Sequence, residues 1–255
     1  MGSGKRLAGK TAIVTGGARG IGATFSQALA LEGAKVLVAD VLDGTRTMEA
    51  IQKAGGTAHV CKVDVSDPAS VRAMAEAALS AFGQIDILVN NAAIFASLEK
   101  KGFLDISSEE WDRLMAVNLR GPFECVKAVA PHMIARKTGR IINIASGTVF
   151  KGQVGFLHYV TSKGGVVAMT RSLARELGAH NVLVNAIAPG LTMSEAIAEN
   201  PMWSGKASQP TVMSRALQRE QEPKDLTGAL VFLASDDCGF MTGQCMVVDG
   251  GAVMR

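Results

Sequence analysis

Short apolar runs rich in β-branched residues alternate with longer segments of helical periodicity along this chain. TAIVTG precedes a helical segment at 21–32, KVLVAD precedes one at 44–54, and AHVCKVD precedes one at 68–82. Strands separated by helices run side by side in the same direction, because each helix carries the chain back to the same edge. The alternation therefore predicts a parallel sheet.

The same rhythm continues in the second half of the sequence. IDILVNNA, RIINIAS, VLVNAIAP and CMVVDG have the character of strands, and the segments 111–136, 159–177 and 223–234 have helical character. The pattern predicts the α/β class: a single doubly wound domain at 7–255, with a seven-stranded parallel sheet and helices on both faces. Residues 1–6 are expected to form a flexible N-terminal segment, since MGSGK leads into no apolar run.

One segment, 191–222, interrupts this rhythm between a strand and the helix that follows it. It places Met193, Met202, Trp203 and Met213 among polar residues. Insertions of this length in a compact domain usually close over a ligand or are disordered. A substrate lid is the favoured interpretation, and a plain packing segment is the alternative.

Composition excludes several classes of function. The formal charge of +3 comes from basic and acidic residues that are scattered along the chain, so nucleic-acid binding has no support. The histidines lie singly, which argues against a metal site. The longest uncharged run, 177–194, contains histidine, asparagine and proline, and no membrane span is predicted. Four cysteines without C-x-x-C spacing favour a reduced, cytoplasmic setting.

A glycine-rich turn follows the first strand. TGGARGIG places Gly16, Gly20 and Gly22 between a strand and a helix. Glycines allow a tight turn there, and the free N–H groups of the helix N-terminus attract phosphate. The position in the first strand–helix–strand unit favours dinucleotide binding over a purely structural turn.

The second strand ends at Asp40, where a carboxylate accepts hydrogen bonds from the hydroxyls of an adenosine ribose. The same carboxylate repels a 2′-phosphate, which favours NAD over NADP. Arg19 is a signal in the opposite direction, because its guanidinium can pair with a 2′-phosphate. We give Asp40 more weight because of its place at the strand end.

The stretch HYVTSKGG contains the only tyrosine of the chain, Tyr159, and Lys163 follows it by four positions. On a helix, residues at this spacing share one face. Taken alone, the pair favours a solvated helix surface, where such pairs are common, and the rest of the chain has to decide.

Taken together, these motifs resemble the classical short-chain dehydrogenase/reductases from Leu7 to the C-terminus. The motifs that carry the resemblance are TGGARGIG, Asp64-Val65, NNAA at 90–93, Asn118 in AVNLRG, Ser146, Tyr159-x-x-x-Lys163 and Pro189-Gly190. The resemblance implies a Rossmann fold and a catalytic set of Asn118, Ser146, Tyr159 and Lys163. Tyr159 would be the general acid/base, and the expectation is that the Lys163 ammonium and the nicotinamide ring lower its pKa from ~10.

The remaining roles follow from the same resemblance. Lys163 would also bind the nicotinamide ribose, Ser146 would hold the substrate oxygen, and Asn118 would anchor a water that passes protons through Lys163. For Asn118, bonding to nearby backbone is a strong alternative. The implied cofactor-binding residues are Gly16, Arg19, Gly20, Ile21, Gly22, Asp40, Asp64, Val65, Asn91, Ala92, Tyr159, Lys163, Pro189, Gly190, Thr192 and Ser194.

The sequence departs from the family pattern at two places. Ala93 stands where the family has the glycine of N-N-A-G, and Thr192 and Ser194 stand where an aliphatic residue and a threonine are common. Ser194 keeps a hydroxyl for the nicotinamide carboxamide. We expect these departures from the family pattern to cause little loss of activity.

The leading hypothesis is an NAD-dependent dehydrogenase that interconverts a secondary alcohol, or a small hydroxyl compound, and its carbonyl. One alternative is a 3-oxoacyl-carrier-protein reductase that uses NADPH, and another is a non-catalytic dinucleotide sensor. The resemblance also implies a homotetramer built partly from the helices at 111–136 and 159–177. A neutral, modestly apolar small molecule is the expected substrate, and the candidate pocket residues are Phe95, Thr148, Val149, Gln153, Met193 and Trp203.

Overall fold

The computed structural model describes residues 5–254, and within this range the chain forms seven parallel strands with helices around them. The strands are β1 (Thr11–Thr15), β2 (Lys35–Asp40), β3 (Thr57–Lys62), β4 (Ile87–Asn90), β5 (Gly139–Ile144), β6 (Val182–Pro189) and β7 (Cys245–Val248). Their order in the sheet is β3-β2-β1-β4-β5-β6-β7. The predicted doubly wound α/β fold is confirmed. The predicted flexible segment at 1–6 lies mostly outside the described residues.

Of the ten helices in the described part of the chain, five follow the predicted segments with small shifts, two divide the segment predicted at 111–136, and three short ones were not predicted. The ten helices are α1 (Gly20–Leu31), α2 (Thr45–Lys53), α3 (Pro68–Phe82), α4 (Ser108–Met115), α5 (Gly121–Arg136), α6 (Thr148–Lys151), α7 (Leu157–Leu177), α8 (Glu195–Ala198), α9 (Gln209–Met213) and α10 (Thr227–Ala234). The helix predicted at 111–136 begins earlier because Ser107 caps it: its hydroxyl accepts a hydrogen bond from the Glu110 N–H over 3.2 Å.

Alternate residues of the central strands enter two apolar cores, one on each face of the sheet. Ala12 and Val14 of β1 pack on one face with Phe25 of α1 and Leu230 of α10. Ile13, between them, packs on the opposite face among residues of α3 and α5. Strands buried on both faces explain why the sequence shows continuous apolar runs instead of alternation.

The order of the strands also fixes where a ligand can bind. The chain moves outward from β1 through β2 to β3, then returns to β4 on the other side of β1. The loops that leave β1 and β4 diverge at their carboxyl ends and leave a crevice between them. The sequence motifs with chemical character all follow strand ends or lie in helices beside this crevice.

Candidate active site

A cleft of about 890 Å³ opens at the carboxyl ends of the central strands. Every residue predicted to bind the cofactor lines it, and so do Ser146, Tyr159 and Lys163 of the predicted catalytic set. The cleft is therefore built from the ends of β1, β2, β4, β5 and β6, and from one face of α7.

The glycine turn after β1 is packed too closely for side chains. Gly16 has a φ of +64°, in the left-handed region, and a Cβ there would lie 2.8 Å from the Cα of Ala92. A Cβ on Gly22 would overlap the Gly16 carbonyl oxygen. The Asn91 side-chain amide donates to the carbonyl oxygens of Thr15 and Gly16, each over 3.0 Å. Asn91 thus braces the turn from which α1 starts.

Asp40 lies at the end of β2 with its carboxylate fixed by two backbone N–H groups. One oxygen accepts from Ala18 over 2.9 Å and the other from Leu42 over 3.0 Å. The residue is 9% exposed and lines the cleft, whereas Arg19 beside it is exposed. The Asp40 carboxylate is therefore held in place, whereas the Arg19 guanidinium beside it is exposed to solvent.

These features fit a dinucleotide. The glycine turn offers close backbone approach at the first N–H groups of α1, and Asp40 offers oxygen acceptors with unused lone pairs. Asp64 and Val65 follow β3 along the same wall, and the Asp64 carboxylate is oriented by hydrogen bonds from the N–H and hydroxyl of Ser66 over 2.9 and 2.6 Å. The donors and acceptors match a phosphate flanked by a ribose.

Ser146 and Tyr159 lie together at the other end of the cleft. Ser146 follows β5, Tyr159 lies in the first turn of α7, and both are 7% exposed. The Thr148 hydroxyl donates to Ser146 Oγ over 2.9 Å. Since Ser146 Oγ accepts from Thr148, its own proton is available to the Tyr159 oxygen.

Burial controls the protonation of the tyrosine and of the lysine one turn later. It raises the pKa of Tyr159 to about 12, against the opposing effect of the Ser146 hydrogen bond. It lowers the pKa of Lys163 to about 8. Lys163 Nζ lies 6.0 Å from the centre of the Tyr159 ring and donates to the Ile144 carbonyl oxygen over 2.7 Å.

The expected lowering of the Tyr159 pKa by Lys163 is therefore not seen among the protein's own groups. Transfer of the phenol into an apolar surrounding disfavours the phenolate, and this effect outweighs the opposing hydrogen bond. The aromatic residues packed against Tyr159 supply that surrounding. Sequence spacing identifies the pair of groups but does not reveal how deeply each is buried.

Asn118 lies in a wide π-helical turn, Ala116–Arg120, between α4 and α5. Its side chain pairs with the backbone of Ile94: Oδ1 accepts from the Ile94 N–H over 2.8 Å, and Nδ2 donates to the Ile94 carbonyl oxygen over 3.1 Å. Asn118 is fully buried, and it ties the loop after β4 to the helices. Turns of this kind are frequent at functional sites.

The segment after β6 carries the predicted nicotinamide contacts. The Thr192 hydroxyl donates to the Gly190 carbonyl oxygen over 3.1 Å. Ser194 lies against the glycine turn, because a Cβ on Gly20 would come within 3.2 Å of the Ser194 Cβ. This segment therefore crosses the cleft from the sheet to the start of α1.

Arg215 joins the two ends of the 191–222 segment. Its guanidinium donates to the Leu191 carbonyl oxygen over 2.6 Å and to the Arg219 carbonyl oxygen over 2.7 Å. The residue is 4% exposed, and its burial lowers the pKa of the guanidinium while nearby Asp249 acts in the opposite direction.

The structure separates the candidate substrate residues into two groups. Phe95, Thr148, Gln153 and Trp203 line the cleft. Val149 packs against a separate apolar cluster that includes Ala145 and Val166, and Met193 is held through its backbone, its N–H donating to the Gln221 carbonyl oxygen over 2.7 Å.

Phe156 also lines the cleft and was missed by the sequence analysis. It precedes α7 with a non-helical backbone (φ −138°), so helical spacing from Tyr159 does not identify it.

No cluster of three or more histidine, cysteine or acidic side chains is placed to hold a metal ion in the range 5–254. Nor does any helix within it combine the length and apolar character that crossing a membrane requires.

Comparison with known proteins places this cleft in a family. Residues 16–253 match the family model described as enoyl-(acyl carrier protein) reductase. A galactitol 2-dehydrogenase of Agrobacterium fabrum is 40% identical, over 96% of this chain and 98% of that protein. The 3-oxoacyl-[acyl-carrier-protein] reductase FabG of Thermotoga maritima is 34% identical, over 98% of this chain and 100% of that protein.

The fold comparison agrees. A crystal structure of a dehydrogenase/reductase from Sinorhizobium meliloti 1021 superposes with a TM-score of 0.89 at 34% identity, covering 97% of this chain and 96% of that chain. The chain therefore belongs to the short-chain dehydrogenase/reductase family of oxidoreductases, whose members bind nicotinamide dinucleotides.

Proposed function

We propose that this protein is an NAD-dependent dehydrogenase that interconverts a secondary alcohol, or a small hydroxyl compound, and its carbonyl. The observation that carries the proposal is the placement of Ser146 and Tyr159 together, with Lys163 one turn later, in the cleft that also holds the glycine turn. A bound nicotinamide dinucleotide supplies the hydride acceptor or donor. The relative named galactitol 2-dehydrogenase supports alcohol chemistry.

The protein's own groups then handle the oxygen and the proton. The Tyr159 hydroxyl gives a proton to the carbonyl oxygen in reduction and removes one from the alcohol in oxidation. Ser146 donates a hydrogen bond to the same oxygen and keeps it against Tyr159. Lys163 orients the nicotinamide ribose, and Asn118 anchors the water that connects Lys163 to solvent. The 191–222 segment serves as the lid that excludes water.

Asp40 supports NAD as the cofactor. Its carboxylate is fixed beside the glycine turn by two backbone hydrogen bonds, so it cannot turn aside without losing both. A 2′-phosphate placed there would meet a buried negative charge, which is unfavourable.

A second candidate is a 3-oxoacyl-carrier-protein reductase that uses NADPH. Two observations favour it: the FabG of Thermotoga maritima is 34% identical over nearly the whole chain, and Arg19 is exposed at the nucleotide end of the cleft. Asp40 argues against it.

The experiment that tests the proposal measures reduced-nicotinamide absorbance with a panel of secondary alcohols, polyols and hydroxy acids, with NAD and NADP in parallel. Tyr159→Phe is expected to lower kcat by about 10²- to 10⁴-fold while the dissociation constant for NAD changes little. Unchanged turnover in Tyr159→Phe would remove the catalytic assignment. Turnover with NADP alone would favour the second candidate.

We also propose that the protein is a cytoplasmic homotetramer. A second, apolar cleft of about 660 Å³ is lined by Met115, Leu119, Phe123 and Met169 of α4, α5, α7 and the turn between α4 and α5. Phe123 is 45% exposed there. An apolar helix face of this kind suits contact with a second copy of the chain.

A further inference from the structure

Three aromatic rings form one wall of the cleft beside Tyr159, the proposed catalytic group. Phe95 lies at the centre, with its ring 4.6 Å from that of Tyr159 and 5.1 Å from that of Trp203. Phe156 closes the wall from behind, 5.1 Å from Trp203 and 6.3 Å from Phe95. We name the set of Phe95, Phe156 and Trp203 the aromatic wall.

The aromatic wall faces the cleft while its rear is packed. Phe156 is only 1% exposed and belongs to an apolar cluster with Leu98 and Leu114. Phe95 and Trp203 are half-buried, and all three residues line the cleft. The surface not used for packing is therefore presented to whatever enters beside Tyr159.

The angles between the rings show that they are stacked and do not form a cage around a ligand. Neighbouring rings are tilted by only 35–37° in the Phe95–Tyr159, Phe95–Trp203 and Phe156–Trp203 pairs. Recognition of a quaternary ammonium group uses rings that surround the cation. At centroid separations of 4.6–5.1 Å, these small tilts mean that the rings stack on one another, and the parts of Phe95 and Trp203 left uncovered by the stack are available for offset or edge-to-face contact with an entering ring.

Asn200 holds the two halves of the wall together. Its side chain donates to the carbonyl oxygen of Ala96, next to Phe95, and accepts from the N–H of Met202, next to Trp203, each over 2.9 Å. The indole N–H of Trp203 is buried and has no acceptor among residues 5–254. Ring packing and the Asn200 bridge thus fix the indole, and the wall is ordered before a ligand arrives.

We propose that the aromatic wall binds an aryl group attached to the reacting carbon, so that the substrates are aryl secondary alcohols and aryl ketones. This inference rests on the proposed function, because the reacting carbon is placed by Ser146 and Tyr159. Because the Phe95 ring lies 4.6 Å from the Tyr159 ring, a substituent on a carbon held at the Tyr159 hydroxyl can reach Phe95, and an aryl ring there gains ring-to-ring contact that a saturated ring of the same size does not.

The test compares 1-phenylethanol with 1-cyclohexylethanol, each enantiomer separately, in the wild-type protein and in Phe95→Leu and Trp203→Leu. The ratio of kcat/KM for the phenyl over the cyclohexyl alcohol is expected to fall about fivefold in both variants, through KM, because the contact is made equally in the ground and transition states. Comparing ratios between variants cancels the intrinsic reactivity of the two alcohols. Asn200→Ala should lower the ratio in the same direction.

Phe103→Leu is the matched control, because Phe103 is 67% exposed and lies outside the cleft. Its ratio should equal that of the wild type. An unchanged ratio in both Phe95→Leu and Trp203→Leu overturns the inference, and so does a wild-type preference for the cyclohexyl alcohol.

Calorimetric titration of wild-type protein with acetophenone and with cyclohexyl methyl ketone separates this inference from the proposed function. At least fivefold tighter binding of acetophenone supports the aromatic wall even if no alcohol in the panel is oxidised, in which case the proposed function fails alone. Equal affinities, or no heat with either ketone, overturn the aromatic wall. Turnover of aliphatic alcohols or polyols together with equal affinities leaves the proposed function standing.

Discussion

The Lys163 ammonium donates a hydrogen bond to the Ile144 carbonyl oxygen over 2.7 Å, and so connects the helix that bears Tyr159 to the carboxyl end of β5. The connection is made at the cost of burying a cation: Lys163 is 3% exposed, and burial lowers its pKa to about 8. The charged form of a lysine that is proposed to serve catalysis therefore destabilises the folded protein.

Lys163→Met is therefore expected to stabilise the protein at pH 7 while abolishing turnover. A lysine pKa of about 8 in the folded state, against ~10.4 in the unfolded chain, lowers the free energy of unfolding at pH 7 by about 3 kcal/mol. Methionine removes this cost, but it also removes the hydrogen bond to Ile144, which is worth about 1 kcal/mol, so the net gain is smaller. The penalty is fully present below pH 8 and disappears as the pH rises to about 10.5. Thermal unfolding at pH 7 and pH 10 measures it.

The control for that measurement is Lys53→Met, since Lys53 is exposed at the end of α2. Its effect on the unfolding temperature should be small and the same at both pH values. A Lys163→Met protein less stable than the wild type at pH 7 contradicts the prediction.

Ser146→Ala should move the pH dependence of alcohol oxidation toward alkaline pH. Burial raises the pKa of Tyr159 to about 12, and the Ser146 hydrogen bond is the opposing effect. Without it the phenolate becomes rarer at any given pH, so the rising limb of kcat/KM in the oxidation direction shifts upward. Thr148→Val, which removes the hydroxyl that donates to Ser146 Oγ, should shift the pH profile less. An unshifted pH profile in Ser146→Ala would contradict the interaction of Ser146 with Tyr159.

Asp40→Asn should raise the ratio of kcat/KM with NADP to that with NAD by tenfold or more. The amide removes the negative charge that a 2′-phosphate would meet, and it forfeits one of the two backbone hydrogen bonds from Ala18 and Leu42. A loss of about 1 kcal/mol in folding stability is expected alongside. Arg19→Ala supplies the opposite change, with NADP use reduced. A ratio that Asp40→Asn leaves unaltered rules out Asp40 as the determinant.

Phe123→Glu should break the proposed tetramer. Phe123 is 45% exposed in the apolar cleft on α4, α5 and α7, and a carboxylate there would be buried without a partner in the assembly. Light scattering should show a lower mass with an unchanged circular dichroism spectrum. Leu31→Glu, at an exposed leucine at the end of α1, is the control. A wild-type protein that scatters as a monomer rejects the assembly itself.

The sequence predicts the sheet well because buried parallel strands leave continuous apolar runs and each helix leaves its own periodicity. It also predicts that the glycine turn and Asp40 lie at adjacent strand ends, and both line the same cleft; their binding of a nucleotide stays a prediction. It does not predict the raised pKa of Tyr159, which depends on rings from three separate segments: Phe95, Phe156 and Trp203.

Contacts between distant segments explain the other omissions. Asn118 reads as a helix-interior asparagine, and only the fold shows that it pairs with Ile94 of the loop after β4. Asn200 has no motif around it, and its bridge from Ala96 to Met202 exists only once the 191–222 segment has folded across the cleft. Such relationships are set by packing and leave no periodic trace in the sequence.

The way Arg215 joins the carbonyl oxygens of Leu191 and Arg219 has a consequence for how this protein can diversify. Because the two ends of this segment are held to each other, its interior, including Trp203, is expected to tolerate substitutions. The strand ends that carry Ser146 and the glycine turn would keep their positions. Changes confined to residues 196–214 are then expected to alter the substrate while Arg215 and the predicted cofactor contacts Thr192 and Ser194 stay in place.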